Sequence, residues 1–299
     1  MTMQSQNRQK HTRPVFSRYN VRIHGGNVLF MFPAFVIYLV IVLVPFLQGI
    51  PYSLTNWKSI MSDDMAFVGL KNYTTLLTNK YFLDTFVNTF QFTLIYLIGA
   101  NVLGLFLAMV LWRSSRFNNM VRTIMFMPFT VALVSSAIVW SYVYTDIISP
   151  LFGVVSPLGS SSQVIGGMAV IAIWRDMGYC MLIYIAGLQS IPMDYYEAAR
   201  VDGASVFQQF RKITLPLLIP SFTSNITLLL AWGLKVFDYP MAVARNMDAA
   251  KTTTMYVYDN IFGFSKAGLG QAAAMITTIV LLILTSGITK IFRKMEVEA

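Results

Sequence analysis

The chain is 299 residues long, 56% hydrophobic and only 12% charged, with a mean hydropathy of +0.60 and a formal charge of +9. Soluble domains carry about 25% charged residues, so half that share excludes an ordinary water-exposed surface. The basic excess sits beside apolar runs rather than on an aromatic-interleaved face, which argues against a nucleic-acid partner, and the two histidines, His11 and His24, with the lone Cys180 offer no internal disulfide, metal site or histidine acid–base pair.

In chain order, the first 27 residues are polar and basic, and an apolar run begins only after them. No small-residue cleavage pattern follows that run, so it reads as an uncleaved first span rather than a signal peptide. Six segments reach the roughly 20 residues that carry a helix across about 30 Å of hydrocarbon. They are approximately residues 28–50, 86–112, 120–144, 164–191, 217–234 and 270–291. The loop after the first carries Trp57, Tyr73, Tyr81 and Phe82, which reads as an aromatic belt at the membrane surface. Residues 150–162, rich in Gly, Ser and Pro, read as an irregular external turn.

Inside the fourth span lie Arg175 and Asp176. A charge near the bilayer centre costs about 2.5–3.5 kcal/mol on insertion scales, so the two are either a cavity wall that hydrogen-bonds a polar solute or a structural pair. Tyr179, four residues after Arg175, shares its helical face. The fifth span is interrupted by Pro220 and by Ser221, Thr223, Ser224, Asn225 and Thr227. Broken backbone at membrane depth is tolerated only where protein or an aqueous cavity covers it, which predicts an interior helix. Ser221, Asn225 and Trp232 fall on one side of it, with Phe237, Asp238 and Tyr239 at its outer end. Aromatic faces and amides arranged this way are predicted to line a solute path.

With six spans drawn, fourteen Lys and Arg fall on one side and seven on the other. The richer side is cytoplasmic by the positive-inside tendency, and both termini lie there. The predicted organisation is an all-α, polytopic membrane protein: a cytoplasmic segment 1–27, a membrane domain 28–292 and a tail 293–299.

Between the fourth and fifth spans, residues 192–216 hold a charged, helix-capable segment. Pro192 disfavours continuation of the preceding helix, Asp194 is a candidate N-cap, and Glu197 three residues on completes a capping box. A short helix to Val201, a turn at Gly203 and a second helical piece over 204–212 form a knob at the cytoplasmic face. Leu215-Pro216 then returns the chain to the membrane. Ala198, Ala199 and Ala204 are small enough for another protein to pack closely, and Glu197, Arg200 and Asp202 offer charges for registration. The alternative is a surface connector that only caps its own helix.

Glu197-Ala198-Ala199, three residues, Gly203, nine residues, Ile213, one residue and Leu215-Pro216 together resemble the cytoplasmic coupling loop of bacterial ATP-binding-cassette importer permeases. Leu188-Gln189-Ser190-Ile191-Pro192, Asp202-Gly203-Ala204, the run from Phe67 to Tyr73 and Asn88-Thr89 are similar to the carbohydrate-uptake branch, the maltose-type and glycerol-phosphate-type permeases. One stretch departs from it: where many sugar permeases carry Gly-Gly-Pro after the fifth span, this chain has Ala244-Arg245-Asn246-Met247-Asp248-Ala249-Ala250.

The resemblance implies a type I importer transmembrane domain in the bacterial inner membrane, taking a sugar or oligosaccharide from an external binding protein. It implies a second, non-identical permease and two ATPase subunits that bind ATP and Mg. Glu197 would sit at the ATPase contact and Gly203 would allow the bend. The chain itself carries no Gly-Lys-Ser/Thr phosphate loop, so ATP hydrolysis is expected elsewhere and no enzymatic role here. Importers of glycerol-phosphate, amino acids or polyamines remain open as alternatives, as does a gradient-driven secondary transporter, although that class usually shows two repeated halves and none is visible.

Overall fold

The computed structural model describes residues 31–59, 61 and 65–296. The basic N-terminal segment with His11 and His24, the start of the first predicted span and the last three residues lie outside them. Apart from an isolated bridge between Thr55 and Phe67, the described residues are helical or irregular.

Helix α1, Met31–Ser53, is long and apolar enough to cross a membrane. It widens into a π turn over Leu39–Leu43, where the N–H of Val44 reaches the carbonyl of Leu39. Pro45 follows at once and has no N–H for the carbonyl four residues back, and the wider turn accommodates that missing donor.

Within residues 52–296, a short helix α2, Lys71–Thr78, precedes α3, Lys80–Leu111, which is 32 residues long. The third predicted span is not one helix. It is two, α4 (Arg116–Thr130) and α5 (Leu133–Phe152), meeting at 101°. A 3-10 turn carrying Pro128 ends α4, and Val131 is extended. The external turn expected at residue 150 therefore begins inside α5.

Helix α6, Val164–Ser190, packs along α3. The approach is close because glycines remove bulk: a Cβ on Gly99 would sit 2.3 Å from Cδ1 of Ile173, and one on Gly104 2.6 Å from Cβ of Cys180. Two buried hydroxyls tie the pair, Tyr184 donating to Oδ1 of Asn101 at 2.6 Å and Tyr96 to Oδ2 of Asp176 at 2.6 Å. Cys180 is fully buried in this contact.

After α7 (Met193–Val201) comes a second bent pair, α8 (Val206–Leu217) and α9 (Ile219–Gly233), at 60°. Pro220 lies just past the break, and Thr223 and Ser224 donate to the carbonyls of Ile219 and Pro220 at 3.0 Å each. Both are bonds back to the carbonyl four residues earlier, which satisfy the hydroxyls without water and favour a bend in the helix. Helix α9 touches α6 through Gly187, whose Cβ would lie 2.2 Å from Oγ of Ser221, and α3 through Gly233, whose Cβ would lie 2.8 Å from Thr93.

Two short helices, α10 (Asp238–Val243) and α11 (Thr253–Tyr258), lead to α12, Ala267–Arg293. The first N–H groups of α12 would be orphaned; Ala267 and Gly268 donate to the carbonyls of Lys58 and Trp57 at 3.2 and 2.8 Å. The result is an all-α, multi-pass membrane protein. Among the described residues, four helices are long and apolar enough to span, and two bent pairs pass the same test together.

Candidate functional site

Two regions carry the residues singled out by the sequence. The first is the α7–α8 hairpin. Ile191 and Pro192 are extended and end α6. The N-cap position of α7 is Pro192, with no side-chain cap. Asp194 therefore lies in the first turn instead of capping it, and the box with Glu197 does not form. The reason is register: α7 starts at Met193, so Asp194 is already helical and adds only a favourable charge near the helix N-terminus. The capping box in this hairpin belongs to α8, where Ser205 and Gln208 exchange side-chain and backbone bonds at 3.3 and 2.8 Å.

Gly203 has φ +76°, in the left-handed region. Around it the N–H of Ala204 reaches the carbonyl of Ala199 at 2.8 Å and its own N–H reaches Arg200 at 3.0 Å, which closes the end of α7. A Cβ at Gly203 would meet nothing within 4 Å, so glycine is needed here for backbone conformation and not for space. Tyr196 and Thr214 share a hydroxyl bond at 2.9 Å that fastens α7 to the base of α8.

Glu197, Ala198, Arg200, Asp202 and Gly203 are exposed; Ala199, Ala204 and Pro216 are half-buried, and Leu215 is 37% exposed. The sequence reading passed over the apolar tip of the hairpin. Val201, Val206 and Phe207 are 88%, 82% and 69% exposed, beside the predicted acidic and basic residues. Three large apolar side chains at the turn of a charged segment were legible as an anomaly.

The second region is a cavity of about 250 Å³ among α3, α5, α6 and the chain after α9. Arg175, Asp176, Trp232, Phe237 and Tyr239, all expected along a solute path, line it. Tyr179 does not; it stands behind the wall, stacked on Phe129 at 5.0 Å and tilted against Trp232 at 5.8 Å between ring centroids. Ser221 and Asn225 do not reach the cavity either. Ser221 donates to the carbonyl of Ile183 at 3.4 Å and Asn225 to that of Cys180 at 3.3 Å, both buried against α6. The same face of α9 that carries Trp232 thus meets helix backbone lower down and opens to the cavity only near its end.

Other lining residues come from helices the sequence did not connect: Phe92 and Tyr96 from α3, Phe129 from the end of α4 and Leu133 from α5; Lys235 follows α9, and Asp238, expected there, opens α10. Phe92 and Tyr96 stack at 5.8 Å, and Phe92 faces Tyr239 at 6.2 Å. Phe129 and Trp232 stack at 6.1 Å. The chamber is therefore walled by aromatic faces on two sides. Its deepest charges are already paired, since Arg175 donates to Asp176, and that carboxylate also accepts the Tyr96 hydroxyl. Among the described residues no cluster of His, Cys, Asp and Glu is arranged to hold a metal ion.

A multi-pass helical protein with a folded hairpin at a span junction and a polar-floored, aromatic-walled chamber belongs to the class of membrane transport components. Residues 100–295 match the family described as binding-protein-dependent transport system inner membrane component, and the chain belongs to that family of ATP-binding-cassette transporter permeases. It is thus the multi-pass inner-membrane component of such a system and not its catalytic part.

Among curated relatives it is 30% identical to the "Probable starch degradation products transport system permease protein AmyD" of Thermoanaerobacterium thermosulfurigenes, over 90% of this chain and 94% of that one. It is 29% identical to the trehalose/maltose transport system permease protein MalF of Thermococcus litoralis, over 89% and 92%. A crystal structure of a bacterial ABC transporter involved in the import of the acidic polysaccharide alginate superposes with TM-score 0.78 at 20% identity, covering 93% of this chain and 99% of that one, which establishes the shared fold.

Proposed function

We propose that this chain is one of two permease subunits of an ATP-driven importer that moves a neutral sugar or oligosaccharide. The observation that carries the substrate class is the chamber: aromatic faces on two sides, with its deepest cation and carboxylate paired to each other. Sugar rings stack their apolar C–H faces on such walls while hydroxyls and carbonyls read their edges. The relatives named for trehalose, maltose and starch degradation products support the same class. A phosphate ester favours net positive charge in its chamber. Arg175 is engaged with Asp176, and Lys235 shares the lining with Asp238, so the charges that line the chamber sum to zero. Family membership also leaves a gradient-driven mechanism without support.

In this reading each bent pair crosses the bilayer once, giving six spans with both termini cytoplasmic and a membrane domain over 28–292 between the segments 1–27 and 293–299. The hairpin at 192–216 seats in a cleft of an ATPase subunit that binds ATP and Mg. Val201, Val206 and Phe207 supply the buried anchor, and Glu197, Ala198, Ala199, Arg200, Asp202, Gly203, Ala204, Leu215 and Pro216 shape the contact. Anchors at the centre of an interface carry most of its energy while charges at the rim set orientation. Two ATPase subunits closing on nucleotide displace the hairpins. The Tyr196–Thr214 bond and the short 60° junction of α8 with α9 carry the displacement to the wall at Trp232, and access alternates between the two faces. A second, non-identical permease completes the path, and an external binding protein delivers the solute.

The test is uptake of radiolabelled maltose, trehalose and glycerol 3-phosphate by the reconstituted complex in vesicles. The neutral sugars are expected to compete with each other and the phosphate ester to be excluded; preferential uptake of the ester would reverse the substrate reading. Trp232→Ala is expected to raise the KM for the transported sugar about 2–10-fold through loss of ring stacking, with assembly intact. Phe207→Asp is expected to weaken ATPase binding by about thirtyfold or more, measured as loss of co-purification, because the charge must be buried in the cleft.

A further inference from the structure

We propose that Arg175 is not a solute ligand but a positioning residue: its guanidinium fastens the bend between α4 and α5 to α6 and thereby sets the wall of the transport chamber. Each of the three guanidinium nitrogens donates a hydrogen bond. Nε donates to the carbonyl of Val131 at 3.1 Å, Nη2 to that of Phe129 at 3.2 Å, and Nη1 to the carboxylate of Asp176. Both carbonyls lie at the 101° break, where the end of α4 leaves its last acceptors without intrahelical donors. Broken backbone at membrane depth must be covered by protein or by an aqueous cavity, and here the side chain that covers it brings several donors at once. A cation also complements the negative end of the helix dipole.

The guanidinium further lies over the Phe129 ring at 5.0 Å from its centroid. Phe129 is a wall of the chamber and stacks on Trp232 and Tyr179. The orientation of that wall is thus tied to Arg175 from both sides, through the backbone it holds and the ring it covers. Asp176 is fixed from the opposite side by the Tyr96 hydroxyl of α3, so one network joins three elements of the chamber. Withdrawing the guanidinium to bind a solute would take the donors from two carbonyls and the counter-charge from a buried carboxylate together. Arginine suits the place because its planar fork serves several acceptors at fixed angles, which a lysine ammonium on one stem cannot do.

The transport readout of this proposal rests on the chamber being the sugar path; a distance readout does not. Spin labels at Ile124→Cys on α4 and Val139→Cys on α5, both more than half exposed, report the bend in the assembled complex in nanodiscs, while Cys180 is fully buried and stays unlabelled. With Arg175 present the pair should give one narrow distance. Arg175→Gln is expected to broaden and displace it without any sugar added, and to lower maximal maltose or trehalose uptake at least about tenfold with KM within about twofold of wild type. Arg175→Lys is expected to behave like the glutamine variant in the distance measurement, because it keeps the charge and loses the fork. It is the variant that decides the matter if the glutamine chain does not assemble. An unchanged distance with a raised KM would make Arg175 a solute ligand, and full rescue by lysine would leave charge alone as its role; either overturns the proposal. If the wild-type complex takes up neither sugar, the substrate reading fails while the distance still decides the fastener.

Discussion

Replacing Gly203 by valine is expected to lower ATP-driven uptake by about 5–30-fold while the chain still inserts in the membrane. A β-branched residue in the left-handed region is strained by about 1–2 kcal/mol, and one or two kcal/mol is a factor of about 5–30 in the population of a two-state element. At φ +76° the strain is unavoidable if the end of α7 is to keep the bonds from Ala204 to Ala199 and from Gly203 to Arg200. Gly203→Asn separates conformation from bulk, because asparagine tolerates this region and nothing lies within 4 Å of the new Cβ. Asparagine should retain most uptake and most ATPase co-purification, and valine should lose both. Equal activity of the two variants would mean that the turn is not held in this form when the ATPase is bound.

The second large effect is expected at Gly178, and it should appear as lost stability and assembly. A Cβ there would sit 2.0 Å from the carbonyl oxygen of Met125 and 2.9 Å from Cα of Phe126. Both obstacles are backbone at the end of α4, so no rotamer change can make room. Even Gly178→Ala must therefore push α4 away from α6, at an overpacking cost of about 1–3 kcal/mol or more. Gly166→Ala, where nothing lies within 4 Å, is the matched control on the same helix. Thermal denaturation of the two purified variants in one detergent should show a lower midpoint for the first and none for the second. A wild-type midpoint for Gly178→Ala would mean that α4 and α6 do not meet this closely.

These two glycines differ in how visible their roles are in the chain. Gly203 stands at a fixed distance from Glu197-Ala198-Ala199 and Leu215-Pro216, and a glycine after a short charged helix is a local stop signal, so its turn could be read directly. Gly178 sits inside the fourth span two residues after Asp176, where no turn or cap signal marks its role apart from that of Gly166. The difference arises only when α4 is laid against α6. The capping residues of the hairpin show the same limit on a smaller scale. Asp194/Glu197 and Ser205/Gln208 both have the spacing of a capping box, and the residue at which each helix starts decided between them.

What the chain alone determined is whatever depends on composition along one segment: an all-α membrane protein, where its apolar runs lie, and the charged hairpin between residues 192 and 216. Hydrophobic length and turn chemistry are local properties, and a bilayer enforces them strongly because backbone polar groups must be satisfied within each helix. Tertiary structure decided the 101° break, for which Pro128 was the visible hint, and it decided which residues share the chamber. Phe92, Phe129 and Trp232 come from three different helices, and Asn225, on the face of Trp232, is turned to the backbone of α6. Arg175 and Asp176 are neighbours in sequence, yet their roles were set by carbonyls at residues 129 and 131 and a hydroxyl at residue 96. Which acceptors a buried charge finds depends on the helix ends brought against it, and no periodicity within its own helix encodes them.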